Sequence, residues 1–228
     1  TPVKLTRVSH LVTFINCCRS LAEVSVISNS THLQFAISNT YLTNIDEFGS
    51  VAFAKMTTIR PFTCEDMLKM NNVNLDPLTE TYGMPFYMQY LAHWPEYFQV
   101  AESPSGQIMG YIMGKAEGQM DNWHGHVTAL TVAPEYRRLG LAGTLMNILE
   151  DISDRKRCLF VDLFVRVSNK VAVDMYHRLG YTVYRRVLEY YSGEQDEDAF
   201  DMRKALSRDV EKKSVIPIPH PVRPDELE

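Results

Sequence analysis

Residues 127–149 constrain the fold of this chain more than any other stretch. Residues 127–132 have the sequence VTALTV, a run of apolar and β-branched side chains that predicts a strand. Pro134 ends this strand, because proline cannot donate to a strand ladder. Leucine and isoleucine side chains then recur at helical spacing as far as Leu149, so we expect a helix to begin near Gly140. The pattern predicts a strand, a basic turn that contains glycine, and a helix.

The turn itself has the composition of an anion site, with the sequence Arg137-Arg138-Leu139-Gly140-Leu141-Ala142. The first N–H groups of a helix have no partner within the helix, and the helix dipole is positive at that end, so both favour a pyrophosphate. Gly140 would let a phosphate approach the backbone closely, and Ala142 keeps the first turn open. Short basic turns also occur as ordinary solvated loops, and these six residues alone leave both interpretations open.

Composition excludes several classes of protein. The chain has 228 residues, 45% of them hydrophobic, and a formal net charge of −5, which indicates one globular domain with appendages and argues against direct nucleic-acid binding. Its four cysteines lack the spacing of a zinc site or a disulfide framework, which favours a reducing compartment. No apolar run reaches the length of a membrane span, so we expect a cytoplasmic protein that does not associate with a membrane.

Residues 1–55 differ in composition from the rest of the chain. They are rich in Ser, Thr, Asn and Val, and show no helical period. The basic residues Lys4, Arg7 and Arg19 leave a targeting segment open as one interpretation; a poorly packed tail and sequence upstream of the natural start are the others. We favour Met56 as the natural start and treat residues 1–55 as an extension outside the domain.

The pattern becomes regular from residue 56 and predicts a domain over residues 56–205. A proline-rich tail, residues 206–228, is expected to be extended. Four helices are expected: a short one after Thr63, and others over residues 85–93, from residue 140 to about 153–157, and from Asn169 to Gly180. The seven expected strands cover residues 57–62, 97–101, 107–115, 127–132, 158–167, 181–191 and 199–203.

This order of elements, with a basic glycine turn after the fourth strand, resembles the GNAT superfamily of acetyltransferases. Two motifs in the expected order and separation are far more specific than either alone. The resemblance implies an α/β (α+β) fold in which a mixed, mostly antiparallel sheet of about seven strands is flanked by about four helices. The second motif is Ser168-Asn169-x-x-Ala172-x-x-x-Tyr176-x-x-Leu179-Gly180-Tyr181.

A narrower resemblance rests on further segments. The stretch from His124-x-His126 into the basic turn, together with Tyr190-Tyr191, resembles the protein N-terminal acetyltransferases. Residues 74–83 (NLDPLTETYG) and 217–228 resemble the catalytic subunits of NatB-type complexes. The similarity covers residues 56–228 and leaves out the extension. It implies transfer of acetyl from acetyl-CoA to the α-amine of protein N-termini, with a preference for Met followed by Asp, Glu, Asn or Gln.

The same resemblance implies acetyl-CoA as the cosubstrate and no metal. Strand backbone would pair with the pantetheine arm, the amides of the basic turn would hold the pyrophosphate, and Arg137 would add charge. His124 and His126 have the spacing of a metal pair, but no third ligand stands nearby in the sequence. The residues implied to bind acetyl-CoA are Leu130, Thr131, Val132, Arg137, Arg138, Gly140, Leu141, Ala142, Asn169 and Tyr176.

Three residues carry the implied catalysis. Tyr176 is the candidate general acid towards the leaving CoA sulfur, and the alternative is a half-buried core tyrosine. His126 is the candidate for accepting the amine proton, because an unperturbed imidazole titrates near the working pH; the alternative is a structural histidine. Asn169 would cap a helix and order the site.

Acceptor recognition is implied to involve two segments and one strand residue. Glu80 would attract the cationic amine, and Thr128 would hydrogen-bond the second side chain of the acceptor, since a polar site rejects apolar partners. The implied acceptor residues are Glu80, Tyr82, Gly83, Thr128, Tyr190 and Tyr191.

The implied partner is a large helical-repeat auxiliary subunit of a NatB-type heterodimer, which docks the pair at ribosomes where nascent polypeptide N-termini emerge. The segment around Met67, Leu68 and Met70 is a plausible interface, and core packing is the alternative. Two other functions stay open: a GNAT enzyme acting on lysine or a small amine, and a non-catalytic interaction module with the same fold.

Overall fold

The computed structural model describes residues 26–29, 32–35, 57–193 and 196–227. The chain divides into two compact units with the boundary between Phe53 and Ala54. In the first unit, β1 (Val26–Asn29) and β2 (His32–Phe35) pair as an antiparallel hairpin. The rest of residues 1–55 lies outside the described residues, so the interpretations of the extension stay predictions.

Seven strands form the sheet of the second unit, and across the sheet they follow the order β3-β4-β5-β6-β7-β9-β8. Neighbouring strands are antiparallel except β6 and β7, which are parallel because a helix connects them. The sequence prediction of a mostly antiparallel seven-stranded sheet is therefore confirmed. The strands are β3 (Thr58–Pro61), β4 (Gln99–Glu102), β5 (Ile108–Glu117), β6 (His124–Val132), β7 (Phe160–Arg166), β8 (Thr182–Tyr191) and β9 (Glu197–Ala205).

Three of the four predicted helices are α-helices: α1 (Met84–His93), α2 (Leu141–Arg155) and α3 (Lys170–Arg178). Proline near the start of α1, Gly140 at the N-cap of α2 and Asn169 at the N-cap of α3 lie where the sequence places them. None of the helices in the described residues has the length and apolarity needed to cross a membrane.

The fourth predicted helix, after Thr63, is a 3₁₀ segment over Cys64–Leu68. Asp66 accepts hydrogen bonds from the backbone and the hydroxyl of Thr63 and forms a bidentate ion pair with Arg60 of β3. These contacts hold a short piece of chain against the strand, and a segment this short gains little from α-helical hydrogen bonds.

Helix α2 packs closely against the sheet through fully buried side chains, among them Leu145, Met146 and Leu149. Gly125 in β6 permits this approach, because an added Cβ there would lie 2.1 Å from Ser153 Oγ of α2. The C-terminal part of α2 is therefore held directly against the start of β6.

The tail lies against β8 rather than standing apart from the second unit. The N–H of Ile218 donates to Tyr184 O over 2.7 Å, and the N–H of Val222 donates to Arg186 O over 3.0 Å. The side chain of Val222 is buried. Short 3₁₀ turns over Lys213–Val215 and Pro224–Glu226 interrupt the extended backbone that the prolines predict.

Candidate functional site

Strands β6 and β7 separate part of the way along their length, and this gap forms the candidate site. They pair only from Gly125↔Val161 to Val127↔Leu163, although β6 continues to Val132. On its other side β6 stays paired with β5, with an irregularity that leaves Thr128 out of register. Part of the β6 edge thus has no strand partner in the described structure, and polar backbone groups between Thr128 and Val132 are available to a ligand.

A cavity of about 560 Å³ fills the gap between the separated strands. The far end of β7, the first turn of α2 and one side of α3 complete its walls. The structure therefore brings together every residue that the sequence analysis assigns to acetyl-CoA. These cavity-lining residues are Leu130, Thr131, Val132, Arg137, Arg138, Gly140, Leu141, Ala142, Asn169 and Tyr176.

The turn before α2 fits an anion. Gly140 has a left-handed backbone with φ of 80°, and an added Cβ would meet nothing within 4 Å, so conformation rather than space requires glycine here. Arg138 is also left-handed, with φ of 63°. The open backbone amides at the N-terminus of this 15-residue helix suit the pyrophosphate of acetyl-CoA.

The two arginines of the turn differ in their contacts. Arg137 Nε donates to Val132 O over 3.1 Å, and its Nη2 forms an ion pair with Asp76. The hydrogen bond from the Leu78 N–H, together with Arg137, holds the pKa of Asp76 below its usual value. Arg138 is exposed and has no hydrogen-bond partner within residues 57–193 and 196–227. Arg138 is therefore the guanidinium that is free to meet a ligand.

Helix α3 carries Asn169 and Tyr176 into the cavity wall. Asn169 Oδ1 accepts a hydrogen bond of 3.2 Å from the N–H of Ala172 and so caps the helix. Tyr176 is buried, and its ring packs edge-on against Tyr181. Its hydroxyl has no hydrogen-bond partner in the part of the chain that the structure describes, and burial raises the pKa of Tyr176 above its ordinary value. The cavity therefore faces a phenol that retains its proton.

His126 lines a second cavity, of about 480 Å³, rather than the first. Its Nδ1 lies 2.8 Å from Oδ1 of the buried Asp162. Burial opposes ionisation of Asp162, but His126 and His124 hold the pKa of this carboxyl below its usual value. Because a carboxylate only accepts hydrogen bonds, Nδ1 of His126 carries a proton in this contact, and in the neutral form of the imidazole Nε2 is the acceptor.

His124 is fixed in a structural position beside this pair. Its Nδ1 lies 2.6 Å from Asn122 O, and its ring stacks on Phe160. Its Nε2 lies 3.6 Å from Asp162 Oδ2. No group of three or more His, Cys, Asp or Glu side chains that could hold a metal occurs in the described residues.

Phe164 lines both cavities and is their common wall. Its ring stacks on Tyr190 with the centroids 4.6 Å apart, and the His126 ring lies 5.8 Å away. Tyr190 belongs to the second cavity, and burial followed by the charge of Asp162 raises its pKa to about 12. The predicted catalytic residues are thus divided between two cavities that meet at Phe164, with Asn169 and Tyr176 at the first and His126 at the second.

Of the other five acceptor residues predicted from the sequence, three line the first cavity and two line neither cavity. Glu80, Thr128 and Tyr191 line the first cavity. Tyr82 lies behind, stacked on a neighbouring phenylalanine, and its hydroxyl reaches Thr128 O over 3.4 Å. Gly83 is the exposed N-cap of α1 and lines neither cavity.

Three residues of the site are not among those predicted from the sequence: Asp162, Phe164 and Arg166 on β7. The two charged residues interrupt an otherwise apolar run over residues 158–167, and that interruption was the available signal. Phe164 offered none, because phenylalanine is ordinary in a buried strand.

Comparisons with known proteins agree with one another. The model of the acetyltransferase (GNAT) family matches residues 67–181. The N-terminal acetyltransferase B complex catalytic subunit NAA20 of Arabidopsis thaliana is 67% identical over 174 residues, which cover 76% of this chain and 99% of that protein. The crystal structure of Chaetomium thermophilum Naa20 in complex with a bisubstrate analogue has a TM-score of 0.70 and 46% identity, covering 74% of this chain and 97% of that one. The NatB acetyltransferase complex bound to CoA and MES has a TM-score of 0.61 and 49% identity, covering 65% of this chain and 99% of the matched one.

Proposed function

The chain belongs to the acetyltransferase (GNAT) family, among the catalytic subunits of N-terminal acetyltransferase B complexes, and on that premise we propose that it acetylates the α-amine of proteins that begin with Met followed by Asp, Glu, Asn or Gln. One observation carries this proposal: a single cavity brings the open N-terminus of α2, the unpaired edge of β6 and the Tyr176 hydroxyl together.

Acetyl-CoA would supply the acetyl group as a thioester when bound in this cavity. The turn before α2 would hold its pyrophosphate through backbone N–H groups, with Arg138 adding charge. The unpaired edge of β6 at Leu130 would pair with the pantetheine arm, much as a neighbouring strand would. Asn169 would keep the start of α3 in place, because its side chain already caps that helix.

Transfer requires the amine to lose a proton and the departing CoA sulfur to gain one. The Tyr176 hydroxyl is the proposed donor, since burial keeps it protonated and it has no competing partner in the described structure. Nε2 of His126 is the proposed acceptor, directly or through water, with Asp162 fixing the tautomer. Phe164 stands between the two cavities, so Tyr176, the proposed acid, and His126, the proposed base, lie on opposite sides of the Phe164 side chain.

Acceptor selection is proposed to lie with Glu80, Thr128 and the tyrosine pair Tyr190 and Tyr191. The carboxylate of Glu80 is partly exposed at the cavity wall and would attract a cationic N-terminus. Thr128 would offer its hydroxyl to the second side chain of the acceptor. An apolar second side chain would leave polar groups unpaired, which is the physical basis of rejection.

We also propose a helical-repeat auxiliary subunit as the partner that shapes the acceptor groove and places the pair at ribosomes in the cytoplasm. Of the relatives named above, the Arabidopsis thaliana protein is a catalytic subunit of an N-terminal acetyltransferase B complex, and one of the structures is that of a NatB complex. Two leucines of the segment before α1, Leu68 and Leu75, are 76% and 75% exposed, and Met84 and Met88 of α1 are also exposed. This apolar stretch offers a surface for that partner.

The test is acetyl transfer by the full chain, co-purified with its auxiliary subunit, onto peptides that begin Met-Asp, Met-Leu and Ser-Glu, and onto an Nα-blocked peptide with one lysine. A preference of about tenfold or more for Met-Asp supports the proposal. Equal use of the three free N-termini would contradict the proposed sequence preference. Transfer to lysine alone would show that the acceptor is a side-chain amine and not the α-amine. A chain of residues 56–228 assayed in parallel tests our proposal that the extension is dispensable for transfer.

A further inference from the structure

Arg166, the last residue of β7, contacts three other segments at once. Its Nη2 donates to Glu80 Oε1 over 2.5 Å and its Nη1 to Glu197 Oε2 over 3.1 Å. Its guanidinium lies 4.1 Å from the centre of the Tyr191 ring. One side chain thus joins the segment before α1, the end of β8 and the start of β9.

Two of these three contacts are held by other bonds. Glu197 Oε1 also accepts a hydrogen bond of 2.9 Å from the N–H of Ser168, and the Tyr191 hydroxyl donates to Phe164 O over 3.1 Å. Glu197 and Tyr191 therefore form a rigid base on which the guanidinium of Arg166 rests. The arginine is 19% exposed at its side chain, and its ion pairs outweigh desolvation and raise its pKa.

Glu80 is the contact that depends on Arg166. Arg166 is the one hydrogen-bond partner of the Glu80 carboxylate within residues 57–193 and 196–227. The Glu80 side chain is 44% exposed, so without this bond water would leave it free to adopt many rotamers. The bond engages Oε1 and leaves Oε2 available at the cavity wall.

We propose that Arg166 is a positioning residue for acceptor binding, which holds the Glu80 carboxylate at the cavity wall so that its second oxygen meets the ammonium of the incoming N-terminus. This inference rests on the proposed acetylation of protein α-amines. A carboxylate already in place costs less rotamer entropy when the acceptor binds than a mobile one. The two carboxylates around one guanidinium leave the cluster with a net charge of −1, which favours a cation.

Lysine cannot replace arginine in this arrangement. The planar guanidinium donates to two carboxylates with different nitrogens while its face covers the Tyr191 ring. An ammonium is a single point of charge and cannot make the three contacts in this geometry. The proposal therefore predicts that Arg166→Lys behaves as a loss of positioning even though it conserves charge.

The experiment measures KM for a Met-Asp peptide, KM for acetyl-CoA and the melting temperature of the full chain with its auxiliary subunit. The variants are Arg166→Gln, Arg166→Lys, Glu80→Gln and the double variant Glu80→Gln/Arg166→Gln. Arg186→Gln is the matched control, because it removes an ion pair between β8 and β9, with Asp198, at a residue that lines neither cavity.

We expect the two Arg166 variants to raise the peptide KM about tenfold, with the acetyl-CoA KM within about twofold of the unmodified enzyme. Adding Arg166→Gln to Glu80→Gln should change the peptide KM little further, because coupled residues are not additive. The Arg186→Gln control should leave both constants unchanged.

Four results would overturn the inference. Additive effects of Glu80→Gln and Arg166→Gln would mean that the arginine does not act through the glutamate. A lower melting temperature with parallel changes in both KM values would make Arg166 a structural tie only. If the unmodified enzyme acetylates Met-Asp peptides and Arg166→Gln has the same peptide KM, the inference is wrong and the proposed function is still supported. If the unmodified enzyme acetylates no α-amine, both the inference and the proposed function are wrong.

Discussion

His126 Nδ1 lies 2.8 Å from Asp162 Oδ1, and this pair joins β6 to β7 close to the point where the two strands separate. The register pairs these residues directly, one step before the strands separate. The same backbone feature that opens the first cavity thus places an oriented imidazole beside it. A buried carboxylate that stays ionised is stable here because it faces the two histidines and, further off, Arg203.

Asp162→Asn tests this pair through the pH dependence of stability. The pKa of Asp162 is lower in the folded chain than its usual value, so its contribution to the free energy of unfolding is present above the unfolded pKa and is lost as the pH falls through the folded pKa. Urea unfolding at pH 6 and at acid pH should show a smaller loss for Asp162→Asn than for the unmodified chain. Equal acid losses in both proteins would contradict this assignment.

The same substitution should affect catalysis separately. Asparagine can present N–H to His126 Nδ1 and so favour the wrong tautomer, which would lower kcat about 100-fold or more if His126 accepts the amine proton. The measurement is kcat at neutral pH with saturating acetyl-CoA. A kcat within twofold of the unmodified value would show that His126 is structural.

Tyr176→Phe should lower kcat with little change in acetyl-CoA affinity. Phenylalanine keeps the ring that packs against Tyr181 and removes only the hydroxyl, which has no other partner in the described structure. Loss of a positioned acid costs about 100-fold in rate or more. Single-turnover kinetics and calorimetric titration with acetyl-CoA measure the two quantities independently; an unchanged rate would assign Tyr176 to the core.

Burial of Tyr176 also predicts that the pH profile of kcat for the unmodified enzyme has no alkaline loss due to this phenol. Because the pKa of Tyr176 is raised above its ordinary value near 10, the phenol should stay protonated from pH 6 to about pH 9. We expect no alkaline loss of kcat in that range that disappears in Tyr176→Phe. Such a loss, abolished by the substitution, would place the pKa of the phenol far lower than burial allows.

The elements around the site could be predicted because their signals are local. Pro134, Gly140 and Asn169 each mark a strand end or a helix start by their own chemistry, and the structure has these boundaries in place. The 3₁₀ segment after Thr63 escaped prediction because it depends on Asp66 reaching Arg60 on a strand, a contact that helical periodicity does not report.

The parts of the site that escaped prediction depend on distant contacts. Arg166 and Glu80 are 86 residues apart, and His126 and Asp162 are 36 residues apart, so neither pair shares a local pattern. The separation of β6 from β7 is likewise a property of three-dimensional pairing. The residue types predict which side chains could take part in acid-base catalysis, whereas the pairing of the strands determines which cavity each side chain lines.

Arg138→Ala and Arg137→Ala should separate ligand binding from fold support. Arg138 is exposed without a partner in the described residues, so its loss should raise the acetyl-CoA KM several-fold, more at low salt, with no change in melting temperature. Arg137 binds Val132 O and Asp76, so its loss should also lower the melting temperature. Matching thermal and kinetic effects in the two variants would contradict the difference in their contacts.

Thr128→Val should weaken the choice of the second acceptor residue. Thr128 is left out of the register between β5 and β6, and its hydroxyl bonds the hydroxyl of Tyr90 over 2.9 Å. Valine keeps the shape of the side chain and removes that hydroxyl. The kcat/KM for a Met-Asp peptide, divided by that for a Met-Leu peptide, should therefore fall about tenfold. Tyr90→Phe is the control: it removes the partner and keeps the Thr128 hydroxyl, so the preference for Met-Asp should survive. Loss of selectivity in both variants would assign it to the Thr128–Tyr90 pair as a structural unit, and loss in neither would exclude Thr128 from acceptor recognition.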